Sequence, residues 1–152
     1  MLDAVRARPQ APAHYHRPMN PNELFTHYVQ NVGDLENLDL EPQPLPTGEW
    51  GVTITGEDVD FAVKLLYLSD DRRVAVGVER LGPSRLTGTH IGETLYFLAG
   101  RITCRPADGP PYELKAGDFC YFPPGGEDVW DIEETYVKLF VIHSDEPLPF
   151  GE

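Results

Sequence analysis

From Trp50 onward the sequence breaks into short runs rich in β-branched and aromatic residues, separated by glycine, proline and acidic turns. That punctuation leaves little room for long helices and predicts an all-β fold. The runs fall at residues 51–55, 61–69, 74–80, 85–89, 94–98, 101–105, 112–114, 119–122 and 136–143. Their regular spacing suggests a sandwich or a barrel. Ala107-Asp108-Gly109-Pro110 reads as a hairpin turn, since glycine provides a positive φ and proline cannot extend the preceding ladder.

The segment before Trp50 differs. Seven of the fifteen prolines (Pro9, Pro12, Pro18, Pro21, Pro42, Pro44 and Pro46) lie in the first 46 residues, which predicts an irregular arm wrapping a core that begins later. One helix is expected within it, near residues 21–31. Asn20 can cap it, Pro21 suits the first helical position, Glu23 lies three after the cap, and Leu24, Phe25, Tyr28, Val29 and Val32 share a face. The expected division is therefore an arm over 1–48 and one barrel domain over 49–152.

Composition narrows the partners. The 152 residues, 41% hydrophobic, suit one domain with a sizeable core. Twenty-five acidic against 12 basic residues give a net charge of -13, which repels phosphate backbones and anionic membrane surfaces, so neither nucleic acid nor membrane is an expected partner. No apolar run has the length of a membrane span, and the N-terminal residues lack the apolar stretch of a secretory signal, so a soluble cytoplasmic protein is expected. Cys104 and Cys120 have no neighbouring cysteine to pair with and read as small buried hydrophobes.

Two motifs make residues 88–143 specific. Glu93 is followed after six residues by Gly100, and Gly117 is followed after five by Pro123, one residue and Gly125. This pair resembles the two motifs of the cupin superfamily. Trp130 with Lys138 further resembles the subgroup of ethanolamine-utilisation and ureidoglycine aminohydrolase-like cupins. The resemblance implies a single jelly-roll β-barrel and covers about the last two-thirds of the chain. Independently of it, Gly100 is expected at a tight turn between two strands and Gly117 at the opening of another.

The resemblance also implies a divalent metal held by two histidines just before the Glu, by that Glu, and by a third histidine after the second motif. Here the first positions fall among Leu86, Thr87, Gly88 and Thr89, and the last falls on Asp128. Whether a transition metal binds is left open. If it does, His90, Glu93 and Asp128 would be its ligands; otherwise His90 is a histidine on the barrel rim. His14 and His16 form a second candidate pair on the arm, with solvent exposure as the plainer reading; His27 and His143 have no motif partner.

Without metal the barrel still offers chemistry. Alternation puts Glu93, Leu95 and Phe97 on one strand face, and an inward Glu93 in apolar surroundings suits a general acid or base. Lys138, one of three lysines, sits in an apolar strand and needs either solvent or a carboxylate, with Glu93 and Asp128 as expected partners. Asp128 and Trp130 share a face as an acid beside an indole wall. Arg101 pairs with a surface acid or an anionic substrate.

These residues predict a small enzyme acting on a small polar metabolite by acid-base chemistry, of isomerase, lyase or hydrolase type. Glu93, Lys138 and Tyr121 would be catalytic with His90 assisting, and Trp130, Asp128, Phe97 and Arg101 would bind substrate. The competing expectation is a non-catalytic ligand-binding or regulatory barrel. Exposed strand edges and the arm predict a homodimer.

Overall fold

The structure, a computed structural model, describes Leu35, residues 38–48 and residues 50–150. Eight strands follow in order: β1 (Val52–Thr55), β2 (Phe61–Leu68), β3 (Val74–Leu81), β4 (Ser84–Thr89), β5 (Glu93–Pro106), β6 (Tyr112–Lys115), β7 (Phe119–Phe122) and β8 (Glu127–His143). All pairings are antiparallel within one sheet. The order β1-β4-β8-β3-β2 is joined by β5, which lies along β8 and carries β6 and β7 on its other edge. The sheet curls into the jelly-roll barrel that the motifs predict.

Two long strands organise the curl. β8 has 17 residues and changes partner midway: its first half pairs with β4, its second with β3, and β5 runs beside both. The expected run begins only at Tyr136, whereas the strand starts at Glu127. Asp128, Trp130 and Ile132 alternate inward, and the acids between them face out. The expected separate strands at 94–98 and 101–105 are likewise one strand of 14 residues.

Gly100 makes that continuity possible. It sits inside β5 at φ 84, where the register against β8 shifts, so it forms a bulge and not the expected inter-strand turn. A Cβ there would lie 2.3 Å from the Thr135 carbonyl oxygen. Only glycine lets the two strands close at this corner.

The main core fills the barrel with Leu68, Leu81, Leu95, Phe97, Ile102, Trp130 and Tyr136 among its fully buried side chains. A smaller cluster lies on the outer face, where Leu35 and Leu40 of the arm cover Ala62, Leu66, Val78 and Val137. The described part of this segment packs on the barrel, with bridges from Pro42 to Ala62 and from Thr47 to Thr53. The helix expected near 21–31, with His14, His16 and His27, lies outside the described residues. Among the described residues no helix is long and apolar enough to cross a membrane.

Candidate functional site

The strand registers bring four polar side chains to one end of the barrel interior. Lys138 of β8 lies directly opposite Glu79 of β3, and both point inward because Tyr136, Lys138, Phe140 and Ile142 alternate on the inner face of β8. Glu93 opens β5 opposite Ile142, on the diagonal from Lys138. The Lys138 Nζ donates to Glu93 Oε1 at 3.1 Å and ion-pairs with Glu79 Oε1 at 3.5 Å. The Tyr136 hydroxyl donates to the same Glu79 oxygen.

A cavity of about 230 Å³ opens over this group. Its floor is formed by Glu79, Glu93, Lys138, His90 and Trp130. Its rim comes from places the strand pattern does not mark: Gln43 to Pro46 of the arm, Trp50 and Phe150. Gln43 fixes the arm there through its backbone N–H to the Phe61 carbonyl at 2.7 Å and its side-chain amide to the Val63 carbonyl at 2.9 Å. The Trp50 and Phe150 rings meet at 4.2 Å between centroids.

Burial sets the electrostatics. It pushes the Glu93 carboxyl above the ordinary carboxylate value, against the pull of the Lys138 ammonium. For Lys138, burial by itself disfavours the ammonium, but Glu79 and Glu93 together outweigh it and hold the amine above the ordinary lysine value. The two carboxylates thus favour the ammonium form of Lys138. Burial and the facing Glu79 raise the Tyr136 phenol well above its usual value, which keeps it a donor.

His90 also lines the cavity. Its backbone N–H donates to the Gly126 carbonyl at 2.8 Å and its carbonyl accepts from the Gly125 N–H at 2.9 Å. Its ring stacks on Phe122 at 4.3 Å, and Nε2 meets Asp128 Oδ2 at 2.6 Å. Asp128 also accepts from the Cys104 thiol at 3.3 Å, while its Oδ1 is buried with no hydrogen-bond partner. Asp128 is absent from the cavity lining: it acts through His90.

Several expectations need correction. Lys138 takes Glu93 as expected, but its second carboxylate is Glu79, not Asp128. Tyr121 is 59% exposed, because in β7 Cys120 and Phe122 take the inner face and leave Phe119 and Tyr121 outside; it cannot reach the cavity. Arg101 ion-pairs with Glu113, Glu133 and Glu134 on the outer surface, at 3.7, 3.2 and 3.4 Å, far from any substrate in the barrel. Phe97 is wholly buried behind the wall, edge-on to Tyr136 at 5.6 Å. Trp130 does line the cavity, with the Lys138 ammonium 5.0 Å from its ring centroid.

Glu79 was missed, although the strand pattern held a signal. In Val74–Leu81 it shares a face with Ala75, Gly77 and Leu81, the sparsely polar inner side. An inward acid opposite an inward lysine would have been found by pairing β3 with β8, which no local pattern specifies.

The metal that cupins commonly hold can be tested against these donors. His90 Nε2 is engaged by Asp128 Oδ2 at 2.6 Å, and Glu93 is held by the Lys138 ammonium at 3.1 Å. Among the described residues no three or more His, Cys, Asp or Glu side chains are grouped to hold a metal ion. His90, Glu93 and Asp128 do not assemble as the expected three-donor set.

The curled antiparallel sheet, the Glu93 and Gly100 motif on β5 and the polar group inside one barrel end define a cupin. Residues 70–140 match the family model described as the EutQ-like cupin domain. The matched segment and the fold support a small cupin similar to the EutQ-like subgroup. Its fold is similar to that of the Clostridium difficile EutQ protein, at 16% identity and TM-score 0.56 over 72% of this chain and 83% of that one. A putative ethanolamine utilization protein from Salmonella typhimurium has 18% identity and TM-score 0.50 over 69% and 97%. Ectoine synthase from P. lautus has 11% identity and TM-score 0.50 over 55% and 63%. No curated protein sequence matches the chain.

Proposed function

We propose that this cupin is an enzyme that moves protons on a small polar metabolite held in the barrel, with Glu93 as the acid or base. The observation that carries this is the buried Glu93 carboxyl, raised by burial and open to an aromatic-walled cavity, with Lys138 fixing its position at 3.1 Å. Glu93 takes a proton from one atom of the substrate and returns it to the same or a neighbouring atom. Lys138 stabilises the Glu93 carboxylate before the proton is taken and after it is returned. His90, oriented by Asp128, is a second proton carrier in the cavity lining. The ectoine synthase likeness supports the fold as a host for an enzyme, and no more than that.

A second reading has its own support: the cross-strand register of Glu79 and Lys138 is also what a structural ion-pair network would show. In that case the cavity binds a molecule without turning it over. Deuterium incorporation from D2O separates the two, followed by NMR across a panel of small polar metabolites. Exchange or conversion of at least one compound, slowed roughly 100-fold or more in a folded Glu93→Gln variant, is the expected result. An unchanged rate in that variant removes Glu93 from the chemistry, and bound but unexchanged ligand leaves the binding reading.

A further inference from the structure

The polar groups of the cavity are not presented evenly. The Glu79 and Glu93 side chains are 16% and 15% exposed, whereas that of Lys138 is 4% exposed and lies beneath them, its ammonium engaged by both carboxylates. A molecule entering the cavity meets carboxylate surface first. The described lining holds two acids against one lysine and one histidine, His90, whose Nε2 is engaged by Asp128, and no arginine. Its remaining wall is largely apolar and includes five aromatic rings, those of Trp50, Phe61, Trp130, Phe140 and Phe150.

We propose that the cavity accepts a small organic cation, a primary or quaternary ammonium compound, with its charge against the Glu79 and Glu93 carboxylates and its carbon skeleton on the aromatic wall. This rests on the acid-base reading above and names its substrate class. In a site withdrawn from bulk water, a surplus carboxylate attracts a cation strongly. Ring faces hold the same charge, most strongly when it is desolvated. An anion gains neither: it meets two carboxylates, and the ammonium that could receive it is covered. The net charge of -13 adds long-range attraction for cations. The volume sets the size, since about 230 Å³ lies below the roughly 300 Å³ at which drug-sized sites begin.

The test compares three molecules of nearly one shape on the full chain by titration calorimetry: choline, its uncharged isostere 3,3-dimethylbutan-1-ol, and the anion 3,3-dimethylbutanoate. Choline is expected to bind at least about tenfold more tightly than the alcohol, with the anion weakest. The preference is expected to collapse in Glu93→Gln and Glu79→Gln and to persist in Tyr121→Ala, whose side chain lies outside the barrel. Equal binding of choline and the alcohol, tighter binding of the anion, or no binding of any of the three up to about 10 mM overturns the proposal. The wild-type comparison stands even if a variant fails to fold. Because binding is read without turnover, a cation-selective protein that exchanges no protons loses only the enzymatic reading, and an enzyme that turns over anions loses only this one.

Discussion

Replacing Lys138 by methionine keeps the length and most of the volume of the side chain and removes its charge. Two carboxylate oxygens then lose a cation at 3.1 and 3.5 Å. With an effective dielectric of about 20, each attraction is roughly 5 kcal/mol. The desolvation of the ammonium offsets several kcal/mol of that, and removing one partner of a buried pair typically costs about 3–5 kcal/mol. Against a total stability of roughly 5–15 kcal/mol, this is a large fraction of the fold. Urea unfolding followed by Trp130 fluorescence is expected to show the loss at neutral pH, and Lys138→Met/Glu93→Gln to recover more than half of it. Acidity gives an independent check on the cause. The folded Glu93 carboxyl already lies above its ordinary value of 4.5. Its proton-linked stability is therefore fully present below that value and is lost as pH rises through the folded one. Without the ammonium the folded value moves higher still, so the gap between wild type and variant is expected to narrow as pH falls. A Lys138→Met protein as stable as wild type at neutral pH, with an unchanged dependence on urea, refutes the reasoning, because it would mean that water and not Lys138 solvates the carboxylates.

Glycine substitutions separate strain from collision. Gly100→Ala, at φ 84 with the Thr135 oxygen 2.3 Å from the new carbon, is expected to lose about 2–4 kcal/mol. Gly117→Ala, at φ 92 with nothing within 4 Å, is expected to lose about 1 kcal/mol; equal losses by urea unfolding would rule out the collision at the bulge. Burial pushes the Cys120 thiol up to about 11 and the Cys104 thiol up to about 12. Iodoacetamide at mildly alkaline pH, read by mass spectrometry, is therefore expected to label Cys120 roughly 100-fold more slowly than a free thiol and Cys104 more slowly still; rapid labelling of Cys104 in the folded protein would contradict its burial. Tyr121→Ala is expected to change stability by no more than about 0.5 kcal/mol and any deuterium exchange not at all, and a lost activity would return Tyr121 to the site.

The sequence by itself determined the all-β class, most of the strands, the face that Glu93 shares with Leu95 and Phe97, and the shared face of Asp128 and Trp130. Those follow from a period of two and from turn residues, which are local properties of the chain. Local reading failed where strands were long and bent. The 14 residues of β5 read as two strands because Gly100 looks like a turn, and the first half of β8 fell outside the expected runs. Only the tertiary structure decided which ionisable groups meet. Glu79 and Lys138 are far apart in the chain and become a pair because β3 lies beside β8, while Asp128 turns to His90 and Tyr121 to solvent because of how β7 and β8 register against β5. Strand pairing is a long-range choice, set by how the whole barrel buries its apolar faces, and a one-residue change of register would exchange the cavity wall for the surface.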